Sequence, residues 1–203
     1  MQKYIVFEGI VGCGKSTMVN NVSKWLKEQN IKTETIEEPG SKVLDILGTY
    51  GIDDRIDTLL FVADRLIQQK KIKEISNDTV LLAERCFLST IAYQKSILLG
   101  NLLDMHDLHF RIEDVDMILD SDTFIFPDLV IILDINIEEG IKRKEGKFEK
   151  WETKDYLVTV RDKYKQMTID KKYPFEIYLI NTENSLEETF ENVKKIIKNA
   201  LEI

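Results

Sequence analysis

The chain has little of what marks the extreme classes of protein. Three prolines and nine glycines among 203 residues leave no linker and no low-complexity segment, so a single domain over 1–203 is expected. Two cysteines, Cys13 and Cys86, are too few for a disulfide framework. The two histidines, His106 and His109, stand three apart on an expected helix with no third ligand at an obvious spacing. They are read as a surface pair rather than a metal site. No apolar run approaches the roughly 20 residues that a membrane-spanning helix needs. The opening "MQKYIVFEG" has too short an apolar run for a signal peptide, and that run ends at Glu8. A cytoplasmic protein without a membrane partner is the expectation. The chain also lacks surplus positive charge: its formal net charge is −8, which argues against a nucleic-acid partner. Any anionic ligand must therefore be held by a local cluster of cations.

What is present is an ordinary globular composition, 43% hydrophobic and 32% charged, in which short apolar runs alternate with longer amphipathic ones. "YIVF" (Tyr4–Phe7), "TVLLA" (Thr79–Ala83), "LVIILDI" (Leu129–Ile135) and "IYLI" (Ile177–Ile180) are continuously apolar, the pattern of strands buried on both faces. "KTETIEE" (Lys32–Glu38) alternates and predicts a more exposed strand. Helical patterns cover Ser16–Gln29, Asp54–Ile75, Phe87–Leu99, Met105–Leu119, Ile137–Lys144, Thr153–Ile169 and Ser185–Leu201. The last opens with Ser185 three residues before Glu188, the spacing of a capping box. Strand and helix in alternation predict a doubly wound α/β fold, a five-stranded parallel sheet with helices on both faces. Its ligand site belongs beyond the carboxyl ends of the strands.

"FEGIVGCGKST" (Phe7–Thr17) contains G-x-x-x-x-G-K-S/T between an expected strand and an expected helix, the context that makes this pattern specific. Gly9, Gly12 and Gly14 let backbone N–H groups converge on phosphate oxygens, and the helix N-terminus adds positive potential. Lys15 would bridge the β and γ phosphates of ATP, and Ser16 would offer its hydroxyl to Mg²⁺. Thr17 is expected to cap or pack the helix, and Cys13 to fill a small site beside the phosphates. No N-K-x-D segment for reading guanine is present, and motor ATPases are far larger. A small-molecule kinase remains.

Four further stretches, with this loop, resemble the thymidylate kinases, the P-loop enzymes that phosphorylate dTMP. "EEPG" (Glu37–Gly40) is similar to that family's R-E-P-G-G turn, and "LLFVADR" (Leu59–Arg65) to its L-L-F-x-A-D-R helix. "LLAERCFLSTIAYQ" (Leu81–Gln94) resembles its D-R-Y-x-x-S-S-x-A-Y-Q segment, and "PDLVIILDI" (Pro127–Ile135) its P-D-L-x-I-x-L-D-V strand. The junction "INTENSLEE" (Ile180–Glu188) is similar as well. The resemblance implies a three-layer P-loop kinase fold. It implies that Phe61 stacks on the acceptor base while Arg65 contacts the base or its phosphate. The two lie four apart on one helix face, although core packing is the other reading of Phe61. It further implies that Arg85 grips the acceptor phosphate, that Glu84 orients Mg²⁺ or its water, that Thr90 and Tyr93 reach base and sugar, and that Glu38 sits near the transfer site.

"IKRKEGKFEKW" (Ile141–Trp151) matches the family's lid, about 141–152. Arg143 is the expected cation over the transferring phosphoryl, with Lys144, Lys147 and Lys150 around it. Three stretches depart from the family pattern. Val11 replaces an acid that contacts the acceptor's sugar, Glu37 replaces an Arg, and Glu84-Arg85-Cys86 replaces D-R-Y. An apolar residue in the loop also suits a deoxynucleoside kinase, and a nucleotide-binding paralogue with weak transfer is the third reading. The family implies a homodimer.

Overall fold

A computed structural model of the chain describes residues 3–40, 43, 54–93, 125–144, 153–170 and 173–203. The expected helix at Met105–Leu119, the continuation of the helix from Phe87 beyond residue 93, the histidine pair and most of the lid lie outside the described residues.

Five strands, β1 (Lys3–Glu8), β2 (Thr33–Glu37), β3 (Val80–Glu84), β4 (Leu129–Asp134) and β5 (Glu176–Asn181), form one parallel sheet in the order β2-β3-β1-β4-β5. Register is fixed by Ile5 opposite both Leu82 and Leu129, and by Val130 opposite Ile177. β4 is buried at all six residues and β1 at five of six. Since alternate side chains point to opposite faces, both faces of the central strands are covered. This explains why their sequences are continuously apolar.

β5 breaks that rule. Its "IYLI" core is as apolar as β4, yet Tyr178 and Leu179 are 39% and 42% exposed, because β5 is the outer strand of the sheet. The expectation of burial on both faces is corrected here: an apolar run reports strand propensity, while neighbours decide burial. β2, the other edge, is exposed as its alternation predicts.

Six helices are described: α1 (Lys15–Glu28), α2 (Asp54–Glu74), α3 (Phe87–Tyr93), α4 (Ile137–Arg143), α5 (Lys154–Ile169) and α6 (Leu186–Leu201). The Ser185 hydroxyl accepts from the Glu188 N–H at 3.1 Å to cap α6, and Asn136 caps α4 through the Glu138 N–H at 2.9 Å. Together these satisfy donors that each helix start leaves without a partner. The chain divides into two compact units. One comprises Met1–Ile36, Ile75–Arg85 and Phe126–Ile203; the other comprises Glu37–Glu74 and Cys86–Ile125.

Candidate active site

In the first unit, the loop between β1 and α1 opens onto a cavity of about 600 Å³. Its lining includes residues Val11 to Met18, Glu84, Arg85, Arg143, Lys144, Thr182 and Asn184. Gly9, Gly12 and Gly14 all have positive φ (138°, 72° and 95°), which turns successive N–H groups inward. α1 begins at Gly14 with no side-chain cap and no acid in its first turn. Its free N–H groups and positive dipole end are thereby left to an anion. Ser16 and Thr17 are exposed on that turn.

Gly12 is required by contact as well as by conformation. A Cβ there would stand 2.0 Å from the carbonyl oxygen of Gly140, and a Cβ on Gly140 would stand 2.7 Å from that of Val11. Loop and α4 thus touch backbone to backbone, and both sides of the contact need the missing side chain.

Lys15 is buried, and its ammonium donates to the carbonyls of Gly9 (3.2 Å) and Ile10 (3.0 Å) and to the Cys13 sulfur at 3.6 Å. Burial is the main cause that lowers its pKa, and the neighbouring Arg85 guanidinium adds to it. Cys13, Glu84 and Glu8 pull the other way. An anion entering the cavity would relieve that cost. Arg85 follows β3 in a left-handed conformation (φ 74°), its N–H donating to the Phe7 carbonyl at 2.9 Å. A non-glycine residue there costs about 1–2 kcal/mol. Such strain persists where the surroundings impose it, commonly at ligand sites. Arg143 is tied to the cavity wall, with Nε donating to Glu139 (2.9 Å) and Nη1 to the Thr182 carbonyl (3.1 Å).

Two acids at strand ends, Glu8 and Asp134, were not among the residues expected to act in the site. Glu8, fully buried at the end of β1, accepts a 2.8 Å hydrogen bond from Tyr164 on α5. Asp134, ending β4, binds Arg161 through two hydrogen bonds (2.5 and 2.9 Å) and Lys165 at 3.3 Å. Its carbonyl receives both the N–H and the hydroxyl of Thr182. A carboxylate at the carboxyl end of a buried strand is a signal that could have flagged Asp134. The Tyr164 contact, 156 residues away in sequence, has none.

The second unit holds the remaining expected residues, and its helix α2 is inverted. Asp57, Thr58, Asp64, Arg65, Gln68 and Gln69 are buried, while Ile56, Leu59, Leu66 and Ile67 are 42–52% exposed. Arg65 Nη1 is paired with the Glu38 carboxylate, and both side chains are buried. Asp64 accepts the Gly40 N–H at 2.9 Å. Phe61, Thr90 and Tyr93 are all buried, and α2 packs against α3. Among the described residues of the whole chain, three buried side-chain atoms have no hydrogen-bond partner: Arg65 Nε, Gln68 Oε1 and Thr90 Oγ1. All three belong to this unit. Gln68 was not among the residues expected from sequence.

A glycine loop around a buried lysine, at the carboxyl end of a parallel sheet and beneath a cation-lined cavity, defines a P-loop nucleotide-binding protein. The sequence model described as "Thymidylate kinase" matches residues 7–193. A probable thymidylate kinase of Sulfurisphaera tokodaii is 34% identical, over 97% of this chain and 96% of its own length. One of Methanosphaera stadtmanae is 30% identical, over 96% and 97%. The thymidylate kinase structure from Candida albicans superposes with a TM-score of 0.75 at 22% identity, covering 98% of this chain and 92% of its own. The chain belongs to the thymidylate kinase family, and it is a phosphotransferase with the P-loop kinase fold.

Proposed function

We infer that the protein transfers the γ-phosphoryl group of ATP to dTMP, acting as a single cytoplasmic catalytic domain whose lid is the segment about 141–152. The observation that carries this reading is the cavity over the glycine loop, where Lys15, Arg85, Arg143 and Lys144 share one lining. An acceptor phosphate oxygen forms the new bond to the γ-phosphorus, the bond from that phosphorus to the β–γ bridging oxygen breaks, and ADP leaves. The acceptor attacks as an anion, so no general base is needed. The protein's task is position and charge. Gly9, Gly12, Cys13, Gly14 and Thr17 shape the phosphate cradle, while Lys15 and Arg143 neutralise the negative charge that spreads over the transferring group. Arg85 holds the acceptor phosphate, and Glu38, Phe61, Arg65, Thr90 and Tyr93 build the acceptor side.

Ser16 and Glu84 line the same cavity and offer two hard oxygen donors. They fit Mg²⁺, which keeps waters and substrate phosphates as its other ligands. Bound there, the ion would supply positive charge to the phosphates being handled.

An ADP-release assay with deoxynucleosides and their monophosphates side by side tests this reading. dTMP is expected to be the best acceptor, with a weakened KM. Val11 offers no charge-assisted hydrogen bond to the sugar, a loss of about 1.5–3 kcal/mol. Turnover of deoxynucleosides alone would make the protein a deoxynucleoside kinase, and no acceptor-dependent turnover would leave only nucleotide binding.

The second part of the proposal is a homodimer through α2. Its exposed apolar residues recur at 56, 59, 66 and 67 with no charge in the stripe, a face about 17 Å long at 1.5 Å per residue. A second copy crossing it about a two-fold axis would cover both stripes with the same residues. Leu59→Glu is expected to convert a dimer into a monomer in sedimentation equilibrium. A wild-type monomer at micromolar concentration would exclude the dimer.

A further inference from the structure

Asp134 and Asn181 are the last paired residues of the ladder between β4 and β5, and the next residue, Thr182, extends that pairing by one step. The Asp134 carbonyl accepts two hydrogen bonds from Thr182, one from its N–H at 2.8 Å and one from its hydroxyl at 3.1 Å. The N–H alone would give that carbonyl a partner, so the hydroxyl is not needed to satisfy it. What the second bond adds is orientation. A β-branched side chain has few χ1 choices, and with N–H and hydroxyl both on one oxygen, Thr182 is fixed. The residue is 5% exposed.

The Thr182 carbonyl in turn accepts from Arg143 Nη1 at 3.1 Å, across 39 residues of sequence, and both residues line the cavity over the glycine loop. The other tether of Arg143 among the described residues is the Glu139 carboxylate, one turn back on α4 and 2.9 Å from Nε. These two side chains are 38% and 40% exposed, and an exposed pair at this spacing holds its partners loosely. The carbonyl is the firmer anchor, because it belongs to backbone tied to the fully buried strand β4. The two contacts use two of the five N–H groups of the guanidinium and set its plane. Among the described residues the other three have no partner, and the cavity that Arg143 lines is where they can meet phosphate oxygens.

We propose that Thr182 is a positioning residue for phosphoryl transfer: clamped on the Asp134 carbonyl by its N–H and hydroxyl, it aims its own carbonyl at Arg143 and so sets where the guanidinium meets the phosphates. This rests on the reading of the protein as an ATP-dependent kinase in which Arg143 neutralises the transferring group, and it adds the residue that orients that charge. A cation already in place when the charge develops stabilises it more than one that must first reorient. A threonine that merely closes a strand end would act alike whether Arg143 were present or not.

The test measures steady-state kinetics with ATP and dTMP for the wild type, Thr182→Val and Thr182→Ser, each with Arg143 present and with Arg143→Ala. Thr182→Val keeps the branched shape and the N–H and removes only the hydroxyl. It is expected to lower kcat about fivefold to tenfold, the worth of one hydrogen bond, with KM for dTMP unchanged. Thr182→Ser restores the hydroxyl and should stay nearer the wild type than Thr182→Val does. In the Arg143→Ala background, Thr182→Val should bring no further loss, since residues that act through one contact are not additive. An equal loss in both backgrounds overturns the proposal and makes Thr182 a structural residue. So does a Thr182→Val enzyme with wild-type kcat, or one whose loss lies wholly in KM for ATP, the sign of a direct contact with the nucleotide. Where Thr182→Val does not fold, Thr182→Ala carries the same expectations. An Arg143→Ala enzyme as fast as the wild type, or a wild type that turns over no dTMP, overturns instead the reading on which the proposal stands.

Discussion

Lys15→Ala lowers kcat for phosphoryl transfer by about a hundredfold to a thousandfold, equivalent to about 3–4 kcal/mol of transition-state stabilisation, and leaves the fold in place. The ammonium is buried against the carbonyls of Gly9 and Ile10, inside the loop that faces the cavity. It is a concentrated charge in a site of low polarity, where its attraction for a developing negative charge is far stronger than in water. The cost of placing it there is visible in its lowered pKa, caused first by burial and then by Arg85. Removing it relieves that cost, so the global stability of the variant should stay within about 1 kcal/mol of the wild type while two carbonyls lose a donor. Single-turnover kinetics and a thermal melt, measured together, check both halves. A folded variant with near-normal turnover would remove the glycine loop from the catalytic machinery.

Asp134→Asn is expected to destabilise the protein by about 2 kcal/mol, a figure reduced from the 3–5 of a fully buried pair because Arg161 and Lys165 remain in partial contact with solvent. For a chain of this length that lowers Tm by roughly 4–8 °C. Asp134 also predicts an acid dependence. Burial is the largest influence on its carboxyl and pushes the pKa up, yet the hydrogen bonds and charge of Arg161, helped by Lys165, together hold it below the usual carboxylate value. A depressed folded-state pKa contributes stability that is fully present above the unfolded pKa, near 4, and is lost as pH falls through the folded value. The gap between wild type and Asp134→Asn should therefore be constant from pH 8 to about 5 and narrow as pH drops below 4. Denaturation profiles at several pH values measure it; an unchanged gap at pH 3 would mean that the ion pair contributes nothing as an ion pair.

The parallel sheet was legible because its central strands must be apolar throughout to be covered on both faces, and β1, β3 and β4 are. The phosphate loop was legible because few residue types can bring N–H groups to a common centre. The orientation of α2 was not. Periodicity finds a helix but not which stripe faces inward, and the ordinary rule places Leu59 and Leu66 inside and Asp64 and Gln68 outside. The structure does the reverse at these four positions. Glu8 and Tyr164 were hidden for another reason: a hydrogen bond between residues 156 apart leaves no trace in local sequence.

The contact between Gly12 and Gly140 also restricts how this site can be altered. An engineer who wished to place a cation in the glycine loop itself would find position 12 closed by the backbone of α4. Opening it means withdrawing α4, and with α4 go Arg143 and Lys144 at its end, both of which line the cavity. A side chain at position 12 and Arg143 in its present place thus exclude each other in this scaffold. Moving from one to the other takes coordinated substitutions in two segments, each harmful until the second is made.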